Sequence, residues 1–259
     1  MNKEKISILM NCFNSERFVA EAIESVLRQI YKNWELIIWD NQSSDNTAKI
    51  IKAYNDHRIK YFLAAKHTSL HVARNLALSK TTGEYLTFLD SDDYWNNEFR
   101  LKLLLDKIKE NENLACVYSK FIIKYESSIL PKRVVPKKDL PSGIIFDNLI
   151  EKYNFGIGSA IFRINKLDNF PNIFNTEFDY MSDFDFIMRL SKIRKFGSIN
   201  LPLFTYRKRK DSMSTLNINS TILQMEKWAL NMLKKQFFNE IQYQRIIVHL
   251  NHLKSKKEV

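Results

Sequence analysis

The 259-residue sequence lacks long apolar runs and is poor in glycine, proline and cysteine. No stretch approaches the roughly 18 consecutive apolar residues that a membrane-spanning helix requires, and charged residues directly precede the first apolar segment. We therefore expect neither a signal peptide nor a transmembrane anchor. Only five Gly residues are present, and no Gly-x-Gly-x-x-Gly motif follows the first apolar segment. This absence argues against a dinucleotide oxidoreductase.

The two cysteines, Cys12 and Cys116, each stand inside an apolar, strand-like run. This placement suits buried free thiols in a reducing compartment better than a disulfide framework, so we expect a cytoplasmic protein. The net charge of +11 favours anionic partners such as nucleotides, phospholipid headgroups or nucleic acid. Charge alone does not choose among these partners.

Strand-like and helix-like segments alternate along the chain, which predicts an α/β fold with a mostly parallel sheet flanked by helices. The predicted strands cover residues 5–10, 34–40, 59–63, 85–90, 114–119, 157–164 and 199–206. The predicted helices follow Asn14 and Ser15 and cover 47–54, 70–79, 99–109, 146–153, 183–193 and the chain from about 218 onward. The basic, Pro-interrupted residues 120–143 are interpreted as an excursion over the active face.

Polar residues collect where the predicted strands end. Asn14 follows the first strand, Asp40 closes the second, and Asp90, Asp92 and Asp93 close the fourth. In sheets of this type ligands bind beyond the carboxyl ends of the strands, where loops and helix N-termini converge. The sequence therefore predicts one ligand site at this edge.

The acidic run at the end of the fourth predicted strand reads Phe88-Leu89-Asp90-Ser91-Asp92-Asp93-Tyr94-Trp95. Its close like charges make sense if a divalent cation compensates them. A hard cation held by one or two carboxylates and by substrate phosphates describes Mg²⁺ or Mn²⁺ on a nucleoside diphosphate. The alternative is an Asp-rich turn that caps the following helix.

The carboxylate of Asp40 can accept the N3 proton of uracil or thymine, whereas cytosine presents an acceptor at N3 and would be repelled. Ser44 and Asp45, in the same turn, are read as helix caps. Arg74 is either a solvated helical arginine or a contact for the base or a phosphate.

Taken together, Ser7 to Asn14, Asp40 to Thr47, Ala73-Arg74-Asn75, Gly83 and Asp90 to Asp93 resemble the motifs of family 2 glycosyltransferases, in order and spacing. The resemblance implies a GT-A type fold and an inverting transfer of one hexose or N-acetylhexosamine. The expected donor is a UDP-sugar, with a dTDP-sugar as the alternative, and the expected cofactor is Mn²⁺ or Mg²⁺. The expected acceptor is a glycan or a lipid-linked molecule in bacterial surface polysaccharide or glycoconjugate synthesis.

The resemblance also assigns roles to residues. Nucleotide-sugar binding falls to Asn14, Asp40, Arg74, Asp90, Ser91, Asp93, Arg207 and Arg209. Metal binding falls to the DxD residues Asp92 and Asp90, with Asp92 as the direct ligand. Asp183 matches the catalytic base, and Asp185 on the same helix is the second candidate for that role.

Four family positions depart from the usual pattern. Asn11 replaces Pro, Asn41 replaces the second residue of a double Asp, and Ser182 replaces the Glu of a Glu-Asp pair. Arg209 stands where many members carry a His near the metal, which indicates phosphate neutralisation in place of a third ligand. Residues 212–214 match the element that closes over the diphosphate.

We predict a glycosyltransferase domain over residues 1–216, divided into a nucleotide-sugar half (1–119) and an acceptor half (120–216), followed by an amphipathic helical region (217–259). The apolar face of that region either packs on the domain or a sister subunit of a homodimer, or docks on an anionic membrane. Lys132, Arg133, Lys137 and Lys138 would be a second membrane contact. Nucleic acid is not an expected partner. A nucleic-acid-binding protein and a non-catalytic sugar-nucleotide binder are the alternative functions.

Overall fold

A computed structural model describes residues 4–126, 131–167, 173–178, 181–212 and 218–255. Its strands are β1 (Ile6–Cys12), β2 (Trp34–Asp40), β3 (Ile59–Leu63), β4 (Tyr85–Phe88), β5 (Leu114–Tyr125), β6 (Arg133–Val135), β7 (Ala160–Arg163) and β8 (Lys195–Lys208). Its α-helices are α1 (Val19–Leu27), α2 (Thr47–Lys52), α3 (Leu70–Leu78), α4 (Arg100–Lys109), α5 (Phe146–Glu151), α6 (Ser182–Ile193), α7 (Ile218–Lys234) and α8 (Glu240–Ser255). Short 3₁₀ helices cover Ile157–Ser159 and Ile164–Lys166.

The strands form one mixed sheet in the order β3-β2-β1-β4-β7-β5-β6, with β8 paired to β5. The pairs β3-β2, β2-β1, β1-β4 and β5-β8 are parallel, and β7 runs antiparallel to both β4 and β5. Strands β1, β2, β4, β5 and β8 consequently all end at the same edge of the sheet. This edge is the one at which the sequence predicts the ligand site.

Alternating strand residues face two separate hydrophobic cores. Ile6, Ile8 and Met10 pack with α1 and α4 on one face, whereas Leu9 packs with α3, α5 and α6 on the other. A strand buried on both faces reads as a continuous apolar run, which is why β1 and β2 could be located from the sequence.

The C-terminal helices belong to the second core. Trp228 and Leu250 have no exposed surface. The buried apolar residues of α7, α8 and the turn between them are Ile222, Trp228, Ala229, Met232, Phe238, Ile246 and Leu250. Packing on the domain is therefore the correct interpretation of this apolar face, and insertion of the same residues into a membrane is not.

Two predicted segments differ from the structure. Residues 120–125 continue β5 instead of leaving the sheet, because Phe121 and Ile123 pack toward the first core and the segment pairs with β6 and β8. The strand expected over 157–164 begins only at Ala160, after a 3₁₀ turn at Ile157–Ser159. Gly158 lies against the ring of Phe204 in that turn, where a Cβ would stand 2.7 Å from ring atoms.

Both cysteines are buried free thiols, as expected. Within the described ranges, no helix combines the length and the apolar character needed to cross a bilayer.

Candidate active site

The acidic run lies directly after β4, and its three carboxylates have different surroundings. Asp90 accepts a hydrogen bond from Arg74 Nη2 at 2.7 Å, and Asp92 Oδ2 lies 3.3 Å from Arg209 Nη2. Asp93 is 2% exposed and accepts a hydrogen bond from the backbone N–H of Arg207 at 2.7 Å. The side chains of Asp90 and Asp92 are 40% and 27% exposed. Asp90 and Asp92 thus face the solvent, whereas Asp93 anchors the end of β8.

Two residues of this run, Asp92 and Asp93, have raised pKa values. Burial raises the pKa of Asp92, the charge of Asp90 raises it further, and Arg209 opposes the shift. Burial also raises the pKa of Asp93 well above its usual range, with Asp92 and Asp90 contributing in the same direction. Burial and the repulsion within the run therefore disfavour the ionised forms of Asp92 and Asp93 more than the neighbouring arginines favour them.

The donor set fits a divalent cation that is shared with a ligand. No three His, Cys, Asp or Glu side chains converge on a possible metal position in the described part of the chain. Mg²⁺ is usually held by one or two carboxylates together with substrate phosphates and water, not by a complete protein cage. Asp90 and Asp92 supply such a partial set.

Arg207, near the end of β8, borders the acidic run on the α1 side. Its Nε donates to the backbone oxygen of Asp92 at 2.8 Å, and its Nη2 donates to Glu21. The guanidinium carbons of Arg207 and Arg209 lie 4.5 and 5.3 Å from the ring centre of Phe18. Both predicted phosphate-binding arginines therefore stand beside Asp92, as the sequence indicates.

Sequence reasoning did not identify Glu21 and Phe18, which hold these arginines. Helical periodicity places both beside the buried face of α1, but nothing local in the sequence links them to β8. Of the predicted closing element 212–214, Ser212 donates to the backbone oxygen of Arg209 at 3.1 Å. Residues 213 and 214 lie outside the described residues.

Asp183 reaches the same edge from the first turn of α6. It is partly exposed, and one of its oxygens accepts the N–H of Phe184 at 2.9 Å. Burial raises the pKa of Asp183, the positive charge of Arg74 opposes the shift, and Asp90 adds to it. Arg74, which is 4% exposed, therefore interacts electrostatically with both Asp90 and Asp183.

Asp185 does not share this position. It has no exposed surface, and its two oxygens accept hydrogen bonds from Arg189 Nε and Trp228 Nε1, both at 2.8 Å. Asp185 therefore faces the C-terminal helices and is not available as a base, so the second candidate for that role is wrong.

Asn14 and Asp40 both hold the turn that follows β2. Asn14 has φ 48°, in the left-handed region that Asn tolerates, and its Oδ1 accepts the N–H of Ser44 at 2.9 Å. Asp40 has no exposed surface and accepts hydrogen bonds from Ser43 N at 2.8 Å and from the hydroxyl of Tyr61 at 2.7 Å. Ser91 contributes from the acidic run, since its Oγ lies 2.8 Å from that of Ser15.

An aromatic pair beside this turn was missed. Phe13 is 49% exposed, and its ring centre lies 4.5 Å from that of His67. His67 Nδ1 lies 2.9 Å from the backbone oxygen of Asn41. The available signal was a large aromatic residue directly before Asn14, at the end of a buried strand.

Comparison with known proteins gives consistent results. The model of glycosyl transferase family 2 matches residues 7–170. The chain is 31% identical over 219 residues to WfgD of Escherichia coli, a UDP-Glc:alpha-D-GlcNAc-diphosphoundecaprenol beta-1,3-glucosyltransferase. This match covers 85% of this chain and 82% of WfgD. It is also 31% identical over 214 residues to EpsE of Bacillus subtilis, a putative glycosyltransferase, covering 80% of this chain and 74% of EpsE.

Solved structures share the fold at low sequence identity. S. aureus TarS (residues 1–349) in complex with UDP-GlcNAc superposes with a TM-score of 0.70 at 19% identity, over 96% of this chain and 72% of TarS. The mannosyltransferase PcManGT from Pyrobaculum calidifontis, in complex with GDP-Man and Mn²⁺, gives a TM-score of 0.61 at 14% identity, over 95% of this chain and 68% of PcManGT. With a family match that spans most of the chain and the predicted motifs gathered at one edge of a GT-A type sheet, this chain belongs to glycosyl transferase family 2.

Proposed function

We propose that this glycosyltransferase moves a single sugar from a UDP-sugar to a glycan or lipid-linked acceptor, with inversion at the anomeric carbon. One observation carries the proposal. The partly exposed Asp90 and Asp92 lie beside Arg207 and Arg209 on one side, and Arg74 links them electrostatically to Asp183 on the other. Binding of a diphosphate and removal of a proton thus have separate groups at one edge of the sheet.

The diphosphate is assigned to the Asp92 side. Asp92 and Asp90 would hold Mg²⁺ or Mn²⁺, which when bound supplies positive charge to the leaving diphosphate. Arg207 and Arg209 add further positive charge at the same position. Since Arg209 already pairs with Asp92, we assign it to phosphate neutralisation and not to metal ligation.

Asp183 is assigned as the general base. In an inverting displacement the acceptor hydroxyl attacks the anomeric carbon opposite the leaving group, so a carboxylate must take the hydroxyl proton during the attack. Partial burial makes Asp183 a stronger base than an exposed carboxylate. Arg74 favours the ionised form of Asp183 by opposing that shift, and it orients Asp90 through the direct hydrogen bond.

The nucleobase of the donor is assigned to the turn after β2, where the exposed ring of Phe13 offers a face for stacking. A uridine donor is supported by the printed activity of WfgD, which uses UDP-Glc. Because Asp40 is buried and already accepts two hydrogen bonds, its contact with a uracil N3–H requires the Ser43 turn to open. Asp40→Asn should therefore reduce UDP affinity relative to CDP in calorimetry, and equal affinities in the wild-type protein would refute the uridine preference.

A lipid-linked acceptor is supported by the same relative, whose printed acceptor is a diphosphoundecaprenol. Among the described residues of α7 and α8, the exposed large apolar side chains are Leu223, Leu230, Ile241 and Val248. Exposed Lys227, Lys234 and Arg245 lie between them. We propose that this outer face, and not the buried one, meets an anionic membrane surface, to which each nearby basic residue adds about 1 kcal/mol.

The outer face can be tested by sedimentation with vesicles that contain phosphatidylglycerol. Wild-type protein should bind at low salt and be released at high salt, whereas Leu223→Ser with Val248→Ser should lose binding and keep the melting temperature. Unchanged binding by this variant would remove the proposal.

The activity is tested by incubating the full chain with a panel of nucleotide-sugars and measuring metal-dependent release of nucleoside diphosphate. UDP release that stops with a chelator is the expected result. NMR of the first product should give the anomer opposite to that of the donor, and retention would refute the single displacement. Tight binding of UDP without any turnover would favour the non-catalytic sugar-nucleotide binder.

A further inference from the structure

The first turn of α6, which carries Asp183, is fixed from the C-terminal helices. Asp185 lies two residues after Asp183, has no exposed surface, and accepts the indole N–H of Trp228 at 2.8 Å. Trp228, in α7, is itself completely buried. A buried carboxylate left without one of its partners is costly, so this hydrogen bond holds the turn and the tail together.

Aromatic packing adds to the same contact. The ring of Phe184, between the two aspartates, lies edge-on to Trp228 at 4.9 Å and also contacts Tyr153 at 4.8 Å. The residue next to Asp183 is therefore held from two sides. Displacement of the backbone that carries Asp183 would therefore disturb the contacts of Phe184 and Asp185 with Trp228.

The contact also extends toward Arg74. Arg189, which donates to the second oxygen of Asp185, donates through Nη2 to the backbone oxygen of Ile173 at 2.8 Å. The next residue, Phe174, lies with its ring 5.4 Å from the guanidinium carbon of Arg74. Asp183 and Arg74, which both border the proposed reaction centre, are therefore both connected to Asp185.

We propose that Trp228 is a positioning residue for the reaction: its indole N–H fixes Asp185 and thereby orients Asp183 toward the acceptor hydroxyl. This inference rests on the proposed role of Asp183 as the base. Trp228 does not touch the substrate. The C-terminal region is accordingly part of the catalytic apparatus although the family match ends at residue 170.

The experiment uses the full chain with the donor that supports turnover and measures kcat, donor KM and melting temperature. Trp228→Phe keeps an aromatic ring and removes the N–H donor. We expect kcat to fall about 10- to 100-fold with donor KM within about twofold, because a small misplacement of a reacting group is costly while the diphosphate side is untouched. Asp185→Asn weakens the acceptor of the same hydrogen bond and loses the ion pair with Arg189, so it should lower kcat in the same direction.

Two further variants separate positioning from stability. Met232→Ala removes a buried side chain one turn further along α7 and should lower the melting temperature while kcat stays near the wild-type value. In an Asp183→Asn background, Trp228→Phe should lower the residual rate no further, because it acts through Asp183. A structural role alone would give additive losses.

The outcomes distinguish the two proposals. Normal kcat in Trp228→Phe and Asp185→Asn, with Asp183→Asn impaired, overturns the positioning role and leaves the proposed function intact. Normal turnover by Asp183→Asn overturns the base assignment, and the positioning role falls with it.

Discussion

Glu35 and Asp92 are both carboxylates close to the central sheet, but they lie at opposite edges and have opposite surroundings. Glu35, where β2 begins, is 1% exposed and accepts hydrogen bonds from Lys60 at 2.7 Å, Lys5 at 2.9 Å and Ser7 at 2.6 Å. Burial alone would raise its pKa, but these bonds lower the pKa of Glu35 to about 2. Asp92, directly after β4, has a raised pKa because burial and the charge of Asp90 outweigh the opposing effect of Arg209.

The difference separates stability from function. At the beginning of the strands every oxygen of Glu35 is satisfied within the protein, which stabilises the folded state. At the end of the strands the carboxylates are crowded and only partly compensated, which destabilises the protein until a ligand or cation arrives. Substitutions where the strands begin should therefore lower stability and spare activity, whereas substitutions where the strands end should lower activity and spare stability.

The largest expected effect is the loss of activity in Asp92→Ala. We expect kcat/KM to fall by about 10⁴-fold, because several kcal/mol of charge stabilisation at the diphosphate is lost. The melting temperature should not fall, since one of several crowded charges is removed. Steady-state kinetics and thermal unfolding check both, with Asp106→Ala at the exposed Lys102 pair as a matched control. A strongly lowered melting temperature of Asp92→Ala would contradict the view that this carboxylate does not stabilise the fold.

Asp183→Asn should lower kcat by roughly 10²- to 10⁴-fold, which is the usual contribution of a positioned general base. UDP affinity, measured by calorimetry, should remain within about twofold of the wild-type value. The residues proposed to bind the diphosphate lie on the other side of Arg74 from Asp183. In the wild-type protein the raised pKa of Asp183 means that kcat/KM falls as the pH is lowered through that pKa, since only the ionised form accepts a proton. An acid limb that persists in Asp183→Asn would have to be assigned to another group.

Glu35→Gln should show the reverse pattern. Removal of the charge leaves Lys5 and Lys60 without their partner, and because both lysines are partly exposed we expect a loss of about 2 kcal/mol in the free energy of unfolding. Turnover should stay within about twofold of wild type. Denaturant unfolding and kinetics at one pH provide the measurement. Loss of activity at unchanged stability would show that the two edges are coupled.

The smallest expected effect concerns acid unfolding. The folded-state pKa of Glu35 lies at about 2, below its ordinary value of 4.5, so its contribution to stability is present above about pH 4.5 and is lost as the pH falls toward 2. The free energy of unfolding of Glu35→Gln should therefore decrease less between pH 5 and pH 2.5 than that of the wild-type protein. Parallel acid-unfolding curves for the two proteins would contradict this assignment.

The order of elements and the location of the site were predictable because both depend on local patterns. Apolar runs mark β1 and β2, helical spacing marks α1, and Asp90 to Asp93 follow directly after β4. The pairing of β5 with β8 was not predictable, because it joins segments about 80 residues apart and Lys120 and Lys124 interrupt the apolar pattern of β5.

The fate of Asp185 shows the same limit. From the sequence it is an acidic residue in the first turn of a helix, equivalent to Asp183. Its partner Trp228 lies 43 residues further along the chain, and only the folded core makes one aspartate structural and leaves the other facing the site. The periodicity of the predicted helix placed Trp228 on its apolar face but could not say what the indole N–H would meet.

The shared core of α6 and α7 bears on how hybrids of this enzyme should be built. A fusion that joins the donor-binding half of this chain to the acceptor half of a relative has natural crossover points in exposed loops. A crossover between α6 and α7 would pair the Asp185 of one parent with the tail of another, and the indole donor would be matched only by chance. Exchanging residues 182–255 as one block keeps Phe184, Asp185 and Trp228 together and should give hybrids that retain turnover.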